Sequence, residues 1–186
     1  MMKIIERLQV GVMALGLVLA ASLIVTPIVA AEEKTVDAFA PFEGQGKVYV
    51  TGENKATFVG ALVGQLFVDS GNGPLHAGRI VCPAMLQLDL RNGKQAGSGQ
   101  CTITAEDGTQ IFAVWSCRGV HLVGCDGEMM LTGGTGRTAG VSGHGPLTVR
   151  TISRGLMKTS SDQDSVITFG RGVLVLRGFK FNNPSK

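Results

Sequence analysis

The stretch LTGGTGRTAGVSGHGP, residues 131–146, decides between two fold classes, because six of its sixteen residues are glycine. Gly134, Gly136 and Ala139 have the G-x-G-x-x-A spacing of a dinucleotide-binding loop, which must be followed by a helix. The residues that follow, AGVSGHGPL, contain glycines and a proline where that helix would run. The stretch therefore predicts tight turns in a sheet and no nucleotide cofactor. The structural turn residues are predicted to be Gly133, Gly134, Gly136, Arg137 and Gly140.

On both sides of these turns the chain has strand signals and almost no helical periodicity. Short turn motifs such as RNGK and EDGT separate the candidate strands, so no segment is available as a crossover helix. The sheet must then be antiparallel, and long strands joined in sequence close well into an up-and-down barrel. We predict an all-β fold, a closed antiparallel barrel of about eight strands. The candidate strands are residues 46–52, 56–70, 75–90, 94–105, 109–119, 124–132, 142–154 and 165–181.

The first 31 residues have the features of a secretory signal peptide. Lys3 and Arg7 precede an uncharged apolar run, and small residues lie before a predicted cleavage site near Ala31. The run is long enough to span a bilayer, so an uncleaved anchor is the alternative. Pro27 favours cleavage because it breaks the helix close to the site. We predict a periplasmic or secreted protein.

The remaining chain is predicted to be one domain, with residues 32–43 as an N-terminal extension and residues 44–186 as the barrel. The leader carries Lys3, Arg7 and Glu6, so its removal lowers the net charge from +3 to +2. That balance predicts neither nucleic acid nor a membrane as a partner once the leader is cleaved. A small apolar ligand remains as a candidate partner, and oligomerisation stays open.

Four cysteines in an exported chain predict two disulfides, and no C-x-x-C spacing indicates a metal site. Cys82 and Cys101 lie on either side of the RNGK turn, nearly opposite each other if a bulge absorbs a two-residue shift. Cys117 and Cys125 flank a short connection symmetrically about His121. We predict Cys82–Cys101 and Cys117–Cys125. The main alternative joins Cys101 to Cys117 across the EDGT turn.

The segment GGTGRTAGVSG resembles the G-G-T-G-[RK]-[FY]-A-G-[IAV]-[ST]-G motif of small secreted bacterial proteins with an allene oxide cyclase-like barrel. GSGQCTITAEDGTQIFAVWSC and GCDGEMMLTGGTGR are similar to the same family, and the resemblance covers roughly residues 44–181. Thr138 stands where the family usually has an aromatic residue. The resemblance, which extends to plant allene oxide cyclases and dirigent proteins, implies an eight-stranded barrel. It assigns no catalytic residue.

Candidate chemical groups are few. His76, His121 and His144 are isolated from one another in the sequence, so we predict no metal site. Asp126 and Glu128 lie two apart on one strand, whereas glycosidase carboxylates usually come from different strands, so we predict no catalytic pair and no cofactor.

An eight-stranded barrel is just wide enough either to fill with side chains or to hold one small ligand. The sequence leaves both open for this chain. The favoured hypothesis is a non-enzymatic binding module for a small apolar ligand or a partner protein, with ligand-binding residues unassigned. The alternative is a cyclase-like or dirigent-like enzyme that guides a reactive apolar intermediate, which a buried unpaired carboxylate inside the barrel would favour.

Overall fold

The computed structural model describes residues 33–70, 76–154, 158–159 and 165–184, with side chains up to residue 152 and again from residue 170. The predicted signal peptide therefore lies outside the described residues. The strands are β1 (Lys34–Gly52), β2 (Lys55–Asp69), β3 (His76–Asp89), β4 (Lys94–Ala105), β5 (Gln110–Val120), β6 (Gly124–Gly134), β7 (Ser142–Arg154), β8 (Lys158–Thr159) and β9 (Ser165–Asn182).

The sheet closes into an eight-stranded antiparallel up-and-down barrel, which confirms the predicted fold class. Each strand from β1 to β6 pairs with the strand that follows it. β7 then pairs with β9, and β9 pairs with β1. The two-residue strand β8 adds to β9 as a short ninth strand. Because β1 and β9 pair from Lys34 with Phe181 to Tyr49 with Ser165, the closing seam runs almost the full length of β1.

Strand β1 begins ten residues earlier than the barrel boundary predicted at residue 44. Residues 34–43, assigned to an N-terminal extension, pair with both β2 and β9. Pro41 weakens the strand signal of this segment, because proline has no backbone N–H to donate to a neighbouring strand. The alternation of Val36, Ala38, Ala40 and Phe42 is the strand signal, since these side chains point into the barrel and Ala38 and Ala40 are buried.

The hairpins divide the barrel into two ends, which we name by their packing. The open end carries the connections β1–β2, β3–β4 and β5–β6, and the closed end carries β4–β5 and β6–β7. Inward side chains of the half next to the closed end form a packed core, in which Met129 and Leu147 are each only 1% exposed. Other members of this core are Ala38, Leu66, Ile80, Ile103, Leu176 and Phe179.

The first disulfide joins Cys82 to Cys101 across β3 and β4, as predicted, with the Cα atoms 4.1 Å apart. Val81 lies opposite Thr102 and Ala84 opposite Gly99, so the cysteines face each other directly and no bulge is needed. The reason is that pairing ends at Asp89 and Lys94, which makes the hairpin connection four residues long and not the two of Asn92-Gly93.

The second disulfide joins Cys117 to Cys125, also as predicted, but it crosses the β5–β6 pair diagonally. Cys117 lies opposite Gly127, and Cys125 lies opposite Gly119. A Cβ at Gly127 would lie 2.8 Å from the Cβ of Cys117, and one at Gly119 would lie 2.9 Å from the Cβ of Cys125. The two glycines therefore provide the space for the diagonal bond. Two disulfides are consistent with an oxidising extracellular compartment.

The segment that opened the sequence analysis forms the turn between β6 and β7 at the closed end. Gly133, Gly136 and Gly140 have positive φ, and Gly136–Thr138 form a single turn of 3₁₀ helix. The Thr138 hydroxyl donates to the carbonyl of Gln110 at 2.8 Å, which fastens this turn to β5. Thr138 therefore makes a polar contact where the resembled family has an aromatic ring.

Candidate functional site

The inward-facing half of the barrel next to the open end contains a cavity of about 370 Å³. Its volume lies within the range of roughly 300–1,000 Å³ that is usual for small-molecule sites. Val50 and Leu90 line it and are 75% and 53% exposed, so the cavity opens to solvent at this end. Its deeper walls are almost entirely apolar. They are formed by Phe42, Val48, Ala56, Phe58, Leu62, Leu86, Leu88, Trp115, Cys125 and Val149.

Aromatic rings lie along the cavity wall because glycines make room for them. A Cβ at Gly46 would lie 2.5 Å from Cε2 of Phe58, and a Cβ at Gly172 would lie 2.5 Å from Cζ of Phe42. Each ring therefore covers a glycine of a neighbouring strand and occupies the space that a side chain there would take. The rings widen the apolar wall and leave the centre of this half unfilled.

Trp115, the single tryptophan of the chain, forms part of the floor of the cavity. Its six-membered ring covers Gly97, where a Cβ would lie 3.3 Å from Cζ3, and its Nε1 lies by Gly99, one step deeper in the barrel. The residue is 6% exposed, and its indole N–H has no hydrogen-bond partner among the described residues. Since both glycine positions would clash with any larger side chain, the indole is fixed in this orientation.

The few polar side chains that face the cavity lie towards its mouth. The amide of Gln95 donates to the carbonyl of Gly124 at 3.2 Å. Arg171 borders the cavity through its strand, but its exposed side chain pairs on the outer wall with Glu43, with 2.8 Å between Nη2 and Oε1. Thr151 and His121 complete the polar lining, and no carboxylate is among the described lining residues. The cavity thus presents an apolar interior with hydrogen-bonding groups only near its entrance.

The rim of the cavity is held by backbone hydrogen bonds between neighbouring hairpins. The N–H of Leu90 donates to the carbonyl of Asn54 at 2.9 Å, and the N–H of His121 donates to Gly93 at 2.7 Å. On the other side of the β5–β6 turn, Thr151 donates to Val123 at 3.1 Å. These bonds join the hairpins through their backbones and so restrict the shape of the mouth, which lowers the entropic cost of binding.

Leu122 lines the mouth and has an unusual backbone conformation, with φ of 71°. A branched side chain at positive φ is costly, and such conformations concentrate at functional sites. The Cys117–Cys125 disulfide closes the hairpin that contains Leu122. The disulfide therefore keeps Leu122 at the mouth of the cavity in this costly backbone conformation.

The sequence-predicted residues mostly lie away from the cavity. The turn glycines and Arg137 are at the closed end, where Arg137 pairs with Asp107 at 3.1 Å. Asp126 and Glu128 face outward from β6, as does His144 from β7, and all three are exposed. Only Cys125 and His121 contribute to the lining. No group of three potential metal-ligating side chains occurs in the part of the chain that the structure describes.

The two outward-facing aspartates with altered acidity belong to surface contacts. Hydrogen bonds from Thr109 lower the pKa of Asp107, and Arg137 adds to the effect. The Thr148 hydroxyl, 2.8 Å away, and the Arg150 guanidinium lower the pKa of Asp126. Both carboxyls are therefore held ionised on the surface, which is the opposite of a general acid.

Two shallower depressions, of about 420 and 610 Å³, run along the outer wall of β2 to β6. Many of their lining residues lie at outward-facing positions of the strands, and polar side chains are common among them, such as Gln87, Ser98, Ser116 and Arg118. They are larger than the interior cavity but lack a continuous apolar surface. The interior cavity is therefore the better candidate site. Among the described residues no helix has the length and hydrophobicity needed to cross a membrane.

Comparison with known proteins assigns no function to the cavity. No family model matches the chain, and no curated protein matches it. A solved structure of a pterocarpan synthase dirigent protein is similar to 79% of this chain and 87% of its own, with 14% identity and a TM-score of 0.33. A likeness of this degree carries no argument about function.

Proposed function

We propose that this protein is exported and binds a small apolar ligand in the barrel cavity. The observation that carries the proposal is the cavity itself, which combines about 370 Å³ of space with an apolar, partly aromatic wall. Burying apolar ligand surface in it would contribute about 25 cal/mol per Å² removed from water. The rim bonds between Asn54 and Leu90 and between Gly93 and His121 join the hairpins at the mouth, and such a restrained mouth supports tight binding.

Binding without chemistry is the preferred form of this proposal. General acid–base catalysis needs a titratable group within reach of the substrate. Among the described lining residues, His121 at the mouth is the acid–base group of ordinary pH, and no carboxylate lies beside it in the lining. A dirigent-like or cyclase-like enzyme is the second candidate. It is supported by the resemblance of the GGTGRTAGVSG segment and would use the cavity to shape a reactive intermediate.

The ligand proposal is tested by native mass spectrometry of the protein purified from its own host. We expect an additional mass that corresponds to a small molecule and that is lost on denaturation. Ala56 lines the cavity on β2, so Ala56→Phe should fill it and abolish the additional mass. Ala61 points outward from the same strand, so Ala61→Phe is the matched control and should retain it. Equal loading of both variants would contradict the proposed site.

The export proposal rests on the charged start, the apolar run and the small residues up to Ala31. The two disulfides are compatible with it because such bonds persist in oxidising compartments. The intact mass of the protein in the exported fraction should begin at Glu32 or within a residue or two of it. A full-length mass in the membrane fraction would show an anchored protein.

A partner protein is a further candidate, supported by the outer wall of the barrel. Val59, Val63 and Met85 are 50%, 38% and 43% exposed on adjacent strands β2 and β3. This apolar wall also leaves oligomerisation open. Sedimentation velocity of the wild type and of Val59→Asp distinguishes these possibilities, since a self-interface through this wall predicts a smaller species for the variant.

A further inference from the structure

In the part of the chain that the structure describes, the most exposed large hydrophobic side chains cluster at the rim of the open end. Six large hydrophobic side chains among the described residues are more than half exposed, and five of them lie at this rim. They come from the ends of β1, β5 and β7 and from the β3–β4 and β5–β6 connections. They are Val50, Leu90, Val120, Val123 and Ile152, with exposures from 51% to 75%. Monomeric proteins rarely leave so many apolar side chains together in water without a partner for them.

Basic residues alternate with these apolar side chains around the rim. Lys55, Arg91, Lys94 and Arg118 are all exposed at the open ends of their strands or in the connections. Among the described residues the acidic side chains at this end are fewer: Glu53 is exposed beside Lys55, Asp126 pairs with Arg150, and Asp89 is occupied within its own turn. There its two oxygens accept from the N–H of Arg91 and the side-chain amide of Asn92, each at 3.0 Å. The rim therefore presents an apolar surface with an excess of positive charge.

We propose that the open end docks on an anionic lipid bilayer, so that the ligand of the cavity passes directly between membrane and barrel. Apolar side chains flanked by Lys and Arg are the combination that lies in the headgroup region of an anionic membrane. Val50 and Leu90 belong to both the rim and the cavity wall, so the apolar path from bilayer to cavity is continuous. The ligand transfer rests on the function proposed above, whereas the docking can be tested without any ligand.

The net charge of the chain predicts no membrane partner, whereas the rim predicts one. The net charge averages over the whole chain, whereas the rim residues are far apart in sequence, from Val50 to Ile152. The backbone bonds between Asn54 and Leu90, Gly93 and His121, and Val123 and Thr151 hold these separate segments at one end. The fold thus concentrates basic and apolar residues that show no cluster in the sequence.

The test is co-sedimentation of residues 32–186, which contain every described strand, with two kinds of vesicle. We expect binding to vesicles of phosphatidylcholine mixed with phosphatidylglycerol, weaker binding to phosphatidylcholine alone, and weakening at high salt. Arg91→Glu/Lys94→Glu should lower the partition coefficient at least 25-fold, since each basic residue contributes about fivefold at an anionic surface. Val123→Asp/Ile152→Asp should lower it by about tenfold or more.

Met130→Asp is the matched control, because Met130 is 53% exposed but lies on the outer wall of β6. It should bind vesicles as the wild type does. Ala56→Phe should also bind vesicles normally while losing the cavity ligand, so a failure of docking and a failure of ligand binding are distinguishable. Wild-type protein that ignores both vesicles would overturn the proposal, as would rim variants that bind like the wild type. A rim variant that only changes the oligomeric state would assign the surface to a second copy and overturn it as well.

Discussion

The two halves of the barrel are built from the same strands, yet one is packed and the other is hollow. In the closed half the inward positions carry aliphatic side chains that meet at the centre, such as Ile80, Ile103 and Leu147. In the open half many inward positions are glycine, and aromatic rings from neighbouring strands cover them. Glycine brings no volume, and a ring placed on the wall does not fill the centre. The alternation of inward-facing and outward-facing residues therefore determines the barrel fold. The size of the inward-facing residues determines which part of the barrel contains a cavity.

Truncating one inward-facing leucine in each half should give the largest difference in stability between the two halves. Leu147 is 1% exposed in the packed core, so Leu147→Ala should lower the free energy of unfolding by about 3–4 kcal/mol. Leu86 borders the cavity and is partly exposed, so Leu86→Ala should cost only about 1–2 kcal/mol. Urea denaturation of both variants gives the two values. Equal losses would mean that the open half is packed as well as the closed half.

The disulfides offer a second comparison, with smaller effects. Replacing either pair with alanine should lower the stability by roughly 2–3 kcal/mol, because each bond restricts the unfolded chain. Only Cys117→Ala/Cys125→Ala should also weaken ligand binding, because Cys125 lines the cavity and the bond closes the hairpin of Leu122. Titration of both double variants with N-phenyl-1-naphthylamine, an apolar fluorophore, checks this. The same loss of affinity in Cys82→Ala/Cys101→Ala would show a general effect of stability.

At the closed end, Gly136 tests whether the glycine-rich turn is structural only. Its φ is 55°, and a Cβ there would have no neighbour closer than 3.5 Å, so the cost of a side chain is backbone strain alone. Gly136→Val should lower the free energy of unfolding by about 1–2 kcal/mol. Affinity for the apolar fluorophore should be unchanged. A variant that melts like the wild type would contradict the role of this turn.

Acid should have the smallest effect of those considered. The pKa of Asp107 at the closed end and that of Asp126 on β6 are lowered by surface contacts. A lowered folded pKa stabilises the fold above the unfolded value of about 4, and the stabilisation is lost as the pH falls through the folded pKa. Asp126→Asn should therefore flatten the fall of melting temperature below about pH 4 slightly. The variant should therefore differ most from the wild type at neutral pH, and a difference that is the same at every pH would contradict this role of the Asp126 carboxylate.

Most of the fold was predictable from local sequence signals. Alternation and turn residues gave eight strands, seven of them within a few residues of their observed bounds, and reflection about the turns gave the two cysteine pairs. The early start of β1 was missed because Pro41 indicates a loop, although its side chain faces solvent on a strand. The exact registers were also missed, because the four-residue connection Leu90–Gly93 contains a shorter turn motif.

The cavity was not predictable, because it depends on contacts between strands that are distant in sequence. Phe42 covers Gly172, and the two residues are brought together only by the β1–β9 seam. The sequence showed many glycines and few aromatics but not which ring would cover which glycine. The rim presents the same difficulty, since its apolar residues are single positions until the barrel closes.

The position of Trp115 allows the most direct test of the central claim, that the open half holds an apolar ligand. Trp115 is the single tryptophan and lies at the floor of the cavity, so its emission reports on the interior alone. We predict that N-phenyl-1-naphthylamine quenches it saturably in the wild type and in Ala61→Phe, and that Ala56→Phe abolishes the quenching. Absence of quenching in the wild type, or equal quenching in Ala56→Phe, would contradict a binding cavity in this barrel.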